Sequence, residues 1–222
     1  MNMQEDEIKH LLSQIKTGTE KNYPGVDLED EDFTNCELEK INLSGANLIG
    51  VDFSHSNLKG AKLDGANLSG ANFGSCDLRA NLLGVNLMQA DLNKADLRGA
   101  NLRGANMMGV KLIHASLAGT FLSGANLTGV DLLGVDLRGA DLRGANLNSA
   151  NLKGSNLVQA DLRGASLSEA NLEEADLRGA NFAGATLSGA NLLCAETEGT
   201  NFSGVNLAQT CTKGTSIDNN LI

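Results

Sequence analysis

The chain repeats itself every five residues, from Val26 almost to its end. Ala125-Asn126-Leu127-Thr128-Gly129 is one plain unit and Ala160-Asp161-Leu162-Arg163-Gly164 is another. Each has a small residue, then Asp or Asn, then Leu or Phe, then two variable positions that often end in Gly. A period of five fits neither the 3.6 of an α-helix nor the 2 of a plain strand. It fits a chain that turns a corner once per unit. With the central Leu or Phe as position i, both i and i−2 point inward and i−1 points outward between them, which is short β geometry. Gly at i+2 suits a tight turn.

Central residues run in steps of five from Leu28 to Leu78 and again from Leu82 to Ile217, with a step of four between the two runs. Thr197 and Thr212 are the only polar centres, and Glu31 is the one charged residue at i−2. The number of sides per coil is written in two columns. Central Phe occurs at 33, 53 and 73 and again at 182 and 202, each time twenty apart. At i−1, Asn47, Asn67, Asn86, Asn106, Asn126 and Asn146 also recur every twenty, less one across the missing residue. A coil of four units stacks both columns into ladders of the kind that stacked β-structure favours. The Asn column stays in phase past Arg79-Ala80, so the missing residue is expected to be absorbed at one corner.

Residues 1–24 lie outside the repeat. Ile8, Leu11, Leu12 and Ile15 recur on one helical face, and Gly18 is a helix stop. A single short amphipathic helix is unstable alone, and the open end of the repeat is the nearest surface for its stripe. The reading is therefore an N-terminal helical cap over 1–24, a β-solenoid over 25–217 and a tail over 218–222. With no Trp and one Tyr among 222 residues, the core must be built from Leu and Ala instead of large aromatics. The apolar runs are far too short for a membrane span. The net charge of −10 disfavours direct nucleic-acid binding. Residues 1–40 carry seven of those ten net charges, so the acids do not line the rod evenly.

These units resemble the pentapeptide repeat family, whose signature A-[D/N]-L-x-x is matched over roughly residues 26–217. The resemblance implies an all-β solenoid, a right-handed quadrilateral β-helix with an N-terminal α-helical cap of the kind found in bacterial and especially cyanobacterial members. The repeats make about ten four-sided coils, a rod of ~45 Å at strand spacing. The rod that the repeat builds is read first as a non-catalytic scaffold that presents flat faces to a protein partner, with no motif naming that partner. Some quinolone-resistance members are acidic dimers that mimic duplex DNA and bind gyrase, which gives a second reading for an acidic chain.

No constellation points to catalysis, a metal or a cofactor. His10 falls in the helix, and His55 and His114 fall at the outward i+2 position on different coils. Cys36 and Cys76 replace Ala at inward positions two coils apart, too far for a disulfide. Cys194 and Cys211 point outward and out of register. Four free thiols fit a reducing, cytoplasmic setting. Asp77/Arg79, Asp96/Arg98, Asp136/Arg138 and Asp176/Arg178 all fall on the third face, a charge-compensated surface or a docking stripe.

Exposed apolar residues are the more informative signal, because outward positions are otherwise polar or Gly. Met88 and Met108 share one outward site on consecutive coils of face one, and Ile113 and Leu133 do so on face two. Together they are expected to form a small apolar patch mid-rod, of the kind that marks a partner site. Scattered surface apolar residues are the ordinary alternative. Phe121 sits at i−1, where Asp or Asn is the rule. An open β edge at the C-terminal end leaves two oligomeric states, a monomer and an end-to-end homodimer.

Overall fold

The computed structural model describes residues 5–18 and 20–217. The side chain of Ile8 and the tail 218–222 lie outside the described residues. Helix α1 spans Glu5–Thr17. It ends at Gly18, whose φ of 66° and N–H bond to the Ile15 carbonyl at 3.1 Å form a left-handed C-terminal turn. Of its apolar stripe, Ile15 is fully buried in the main core, and Leu11 and Leu12 are half-buried against it. Lys16 follows them and holds its ammonium 5.6 Å from the ring centroid of Phe33.

The described residues from Asn22 on form a four-sided coil held by parallel backbone pairing. Along most of the coil the residue at i−1 bridges its counterpart one coil on, as Asn106 does with Asn126 and Asn126 with Asn146. The central N–H reaches forward and the i−1 N–H reaches back: Leu127 to the Asn146 carbonyl at 2.7 Å, and Asn146 to the Ala125 carbonyl at 2.9 Å. We number the faces by their first central Leu or Phe: face one from Leu28, face two from Phe33, face three from Leu38 and face four from Leu43. The pairing begins on face four at Asn22↔Asn42, with Tyr23 as a buried centre. This is a few residues ahead of the 24/25 boundary given by the signature. Lys21 and Pro24 hide that unit from the pattern.

The corners explain the pentapeptide. The N–H of i+3 donates to the carbonyl of i, as Ala46 does to Leu43 at 3.1 Å, and the residue at i+2 has positive φ. This is a type II-like turn, which favours Gly at its third position. The side chain at i−1 completes the turn. Its Oδ1 accepts the N–H of i+1, as Asp52 does from Ser54 and Asp32 from Thr34, both at 2.8 Å. Asp or Asn at i−1 is therefore favoured by the turn itself, whatever else the surface does.

Inside, the centres stack in columns. Phe33, Phe53 and Phe73 pile up at centroid separations of 5.5 and 5.4 Å, and Phe182 and Phe202 at 5.3 Å. Where Ser or Thr replaces Ala at i−2 its hydroxyl is satisfied locally: Ser155 Oγ donates to the Leu152 carbonyl at 2.7 Å and Thr120 Oγ1 to the Leu117 carbonyl at 2.6 Å. The missing residue is absorbed at one corner, where Ala80 N–H closes a three-residue turn on the Leu78 carbonyl at 2.8 Å. Pairing then continues in phase through Lys62↔Asn81 and Asn67↔Asn86.

Candidate protein-interaction surface

The charged columns are largely self-paired. On face three, Arg98 grips Asp96 with Nε–Oδ1 at 2.8 Å and Nη2–Oδ2 at 2.6 Å, and Arg138 and Arg178 grip Asp136 and Asp176 in the same way. Arg79 makes the same fork to Asp77. The structure adds pairs on face four, Arg143–Asp141 and Arg163–Asp161, so every arginine of the chain lies on these two adjoining faces. Hydrogen bonds from the arginine two residues on hold all six aspartates below the usual carboxylate range, against a smaller opposing effect of burial. Face one differs: its units at 46–50, 66–70, 85–89, 105–109, 125–129 and 145–149 contain no charged residue. Amides pair along it, Asn86 to Asn67 at 3.0 Å and Asn126 to Asn106 at 3.4 Å.

The outward apolar residues are exposed as their positions require. Ile113 and Leu133 are 62% and 59% accessible, and Met88, Met108 and Phe121 are each about two-fifths accessible or slightly less. Leu83, 47% exposed, belongs with them. It stands at i+1 of face four in the first unit after the missing residue, and the same outward rule identifies it. Met88 and Met108 stand on face one, and Ile113 and Leu133 on face two. The ion pair of Lys111 with Asp91, at 3.7 Å, stands on the strand between the methionine column and the Ile113–Leu133 pair. Phe121 is in register, bridging Asn101 and Asp141. Arg103 lies over it at 4.3 Å from guanidinium carbon to ring centroid. The same guanidinium donates to Asn101 Oδ1 at 3.2 Å and reaches Asp141 at 3.9 Å, so the ring is clamped across three coils.

Ile113 and Leu133 mark a break in the ladder. Among the described residues, no backbone bond is made by the N–H groups of Gly109, Leu112, His114, Asp131 and Asp136. The coils on either side are fully paired, Leu92 to Lys111 at 2.8 Å and Leu132 to Asn151 at 2.7 Å. On the opposite face four the same two coils stay joined, Leu122 to Asp141 at 2.7 Å and Asp141 to Thr120 at 2.9 Å. The coils are thus wedged apart on one side. At i−2 of this corner Val110 stands one coil below Val130, the one place in the repeat where two valines follow each other in a column. The opening is a cavity of about 280 Å³ lined by Leu112, Ile113, His114, Asp131, Leu133 and Val135.

A family model for pentapeptide repeats matches the chain in eight copies, at residues 27–65, 41–79, 66–109, 105–144, 145–182 and 180–215. This chain belongs to the pentapeptide repeat family. No curated protein gives a match. Among solved structures it is similar to HetL, a pentapeptide repeat protein involved in heterocyst differentiation regulation from the cyanobacterium Nostoc sp. strain PCC 7120. The identity is 31% over 96% of this chain and 97% of HetL, with a TM-score of 0.60. It also has the fold of trypsin-treated QnrB1, a plasmid-mediated fluoroquinolone resistance protein, at 23% identity over 83% of this chain and 90% of that one, TM-score 0.52. The coil is accordingly the right-handed quadrilateral β-helix of pentapeptide repeat proteins.

Within the pentapeptide-repeat coil the remaining reactive side chains are dispersed. Cys76 is buried and Cys36 half-buried, while Cys194 and Cys211 are exposed; all four are free. Burial, reinforced by the Asp77 charge, pushes the Cys76 thiol up to about 12. His55 and His114 occupy corners with φ of 60° and 61°. Among the described residues no cluster of three or more His, Cys, Asp or Glu side chains is arranged to hold a metal ion, and no helix is long and apolar enough to cross a membrane.

Proposed function

We propose that this pentapeptide repeat protein is a non-catalytic scaffold that binds a protein partner through the exposed apolar residues of its middle coils. The carrying observation is the departure of Met88, Met108, Ile113, Leu133, Leu83 and Phe121 from a surface that otherwise spends its polar groups on its own turns and ion pairs. Aspartates that cap turns and grip arginines are occupied by structural work, which favours binding over acid–base chemistry. HetL's involvement in heterocyst differentiation regulation supports a regulatory role for the scaffold.

In this reading the rod has about ten coils, α1 caps its N-terminal end, and residues 25–217 form the binding module. Free thiols support a cytoplasmic setting. Half-buried Phe202, Leu207 and Ile217 at the far end of the core keep an end-to-end homodimer beside the monomer. The test is retention of proteins from the source cell on immobilised full chain, compared with a variant carrying Met88→Asp, Ile113→Asp and Leu133→Asp. Partners held by the first and lost by the second are expected; identical retention refutes the placement. A gyrase supercoiling assay addresses the DNA-mimic reading. The arginine-neutralised carboxylates of faces three and four weigh against it, and inhibition by the full chain would reverse that judgement.

A further inference from the structure

We propose that the parted strands of face two, Leu112–Ala115 and Asp131–Val135, form a slot that accepts an extended segment of the protein partner. The inference rests on the scaffold reading and gives its partner a chemistry. Along one strand the Leu112 and His114 N–H groups, and on the facing strand the Asp131 N–H, make no backbone bond, and the Val110, Asp131 and Leu133 carbonyls receive no N–H. Leu112 and His114 are two residues apart on a strand, the spacing at which an extended chain offers its own groups. Leu112 is buried while His114 and Asp131 are exposed, so the unpaired groups line a cleft open to solvent and are accessible to an incoming chain. An extended peptide brings donors and acceptors together, as in strand addition to a sheet edge.

The other occupants fit less well. A helix spends its backbone donors and acceptors on itself along its length, so it cannot meet the unpaired groups of the slot. A purely apolar ligand leaves the N–H row unmet. The lips of the slot are aliphatic, Ile113 on one coil and Leu133 on the next, both more than half exposed. They call for a β-branched or leucyl side chain at the point of insertion. The clamp of Arg103 over Phe121 and on to Asp141 holds the same two coils together on the far side, so the slot opens on one face without splitting the rod.

The experiment is amide exchange by NMR on the full chain, alone and with a capped pentapeptide of alternating threonine and valine. In the free protein Leu112, His114 and Asp131 should exchange at least ~100-fold faster than Leu92 and Leu132, because they lack a ladder bond. The peptide should bind saturably and slow those three amides. The same peptide with alternate backbone nitrogens methylated should not. Val110→Ala with Val130→Ala restores the repeat's usual corner residue and should close the slot, protect the amides and abolish peptide binding. Protection of the three amides in the free wild-type chain overturns the proposal. So does failure of the peptide to bind, or equal binding of the methylated peptide or by the closed variant. If the closed variant still retains the cellular partner, the slot fails and the scaffold reading stands. If the peptide titrates the slot while the triple Asp variant retains every protein the wild type does, the scaffold placement fails and the slot stands.

Discussion

The phenylalanine column makes a quantitative demand on the core. Phe53 stacks on Phe33 and on Phe73, at 5.5 and 5.4 Å, and all three are fully buried. Leu is the usual central residue, so Phe→Leu leaves a side chain the coil is built to hold and keeps the cavity small. What is lost is ring-on-ring contact, worth about 0.5–1.5 kcal/mol per pair beyond area burial. Phe73→Leu breaks one stack and should cost about that much; Phe53→Leu breaks two and should cost about twice as much. The double variant breaks the same two stacks as Phe53→Leu alone, and should therefore be no less stable than it. Urea denaturation followed by circular dichroism gives the three values, and the coupling between 53 and 73 should equal one stack. Additive costs in the double variant would show that each ring is held by its own pocket, and the stacking argument would be wrong.

Further outcomes follow from other parts of the coil. Gly104→Ala meets no atom within 4 Å yet sits at φ 65°, so it should lower stability by roughly 1–2 kcal/mol from backbone strain alone; an unchanged melt would mean that the corner relaxes. The six arginine-gripped aspartates titrate below their unfolded value of about 3.9, so their contribution is complete above that pH and is lost as pH falls through the depressed folded values. Melting temperature should drop below about pH 4, and Asp96→Asn with Asp136→Asn and Asp176→Asn should flatten that drop; a variant as acid-sensitive as wild type would refute the assignment. At pH 8 Cys194 and Cys211 should react with a thiol reagent, and Cys76 only after unfolding. Deleting residues 1–20 should produce self-association with the β signal retained, and a truncated chain that stays monomeric and melts unchanged would show that α1 is no cap.

The coil was legible in the sequence because inward and outward positions are chemically distinct at every unit. The spacing of Phe33, Phe53 and Phe73 alone gives four sides. The corner at Arg79-Ala80 was legible too, since the Asn column keeps its phase across it. What the sequence did not reveal depends on distances between coils. Phe121 reads as a misplaced aromatic until Arg103, eighteen residues earlier, is seen lying on its ring. The parted seam is a relation between residues twenty apart, each unremarkable within its own pentapeptide. Tyr23 was missed because Lys21 breaks the small-residue rule at i−2, although its backbone pairs like any other. Leu83 was available to the outward rule and was obscured only by the change of phase beside it.

The shortened corner between Leu78 and Asn81 bears on how such a chain can change its length. One side of the coil consumes five residues and a full circuit twenty, yet here nineteen suffice, because a tighter turn takes up the loss. A single-residue deletion at a corner is therefore silent in space. Loss of twenty residues would shorten the rod by one storey and leave every surface at its old compass bearing. Loss of five would swing everything beyond it through a quarter turn, carrying the Ile113–Leu133 opening to a neighbouring side while disturbing almost none of the packing beneath it.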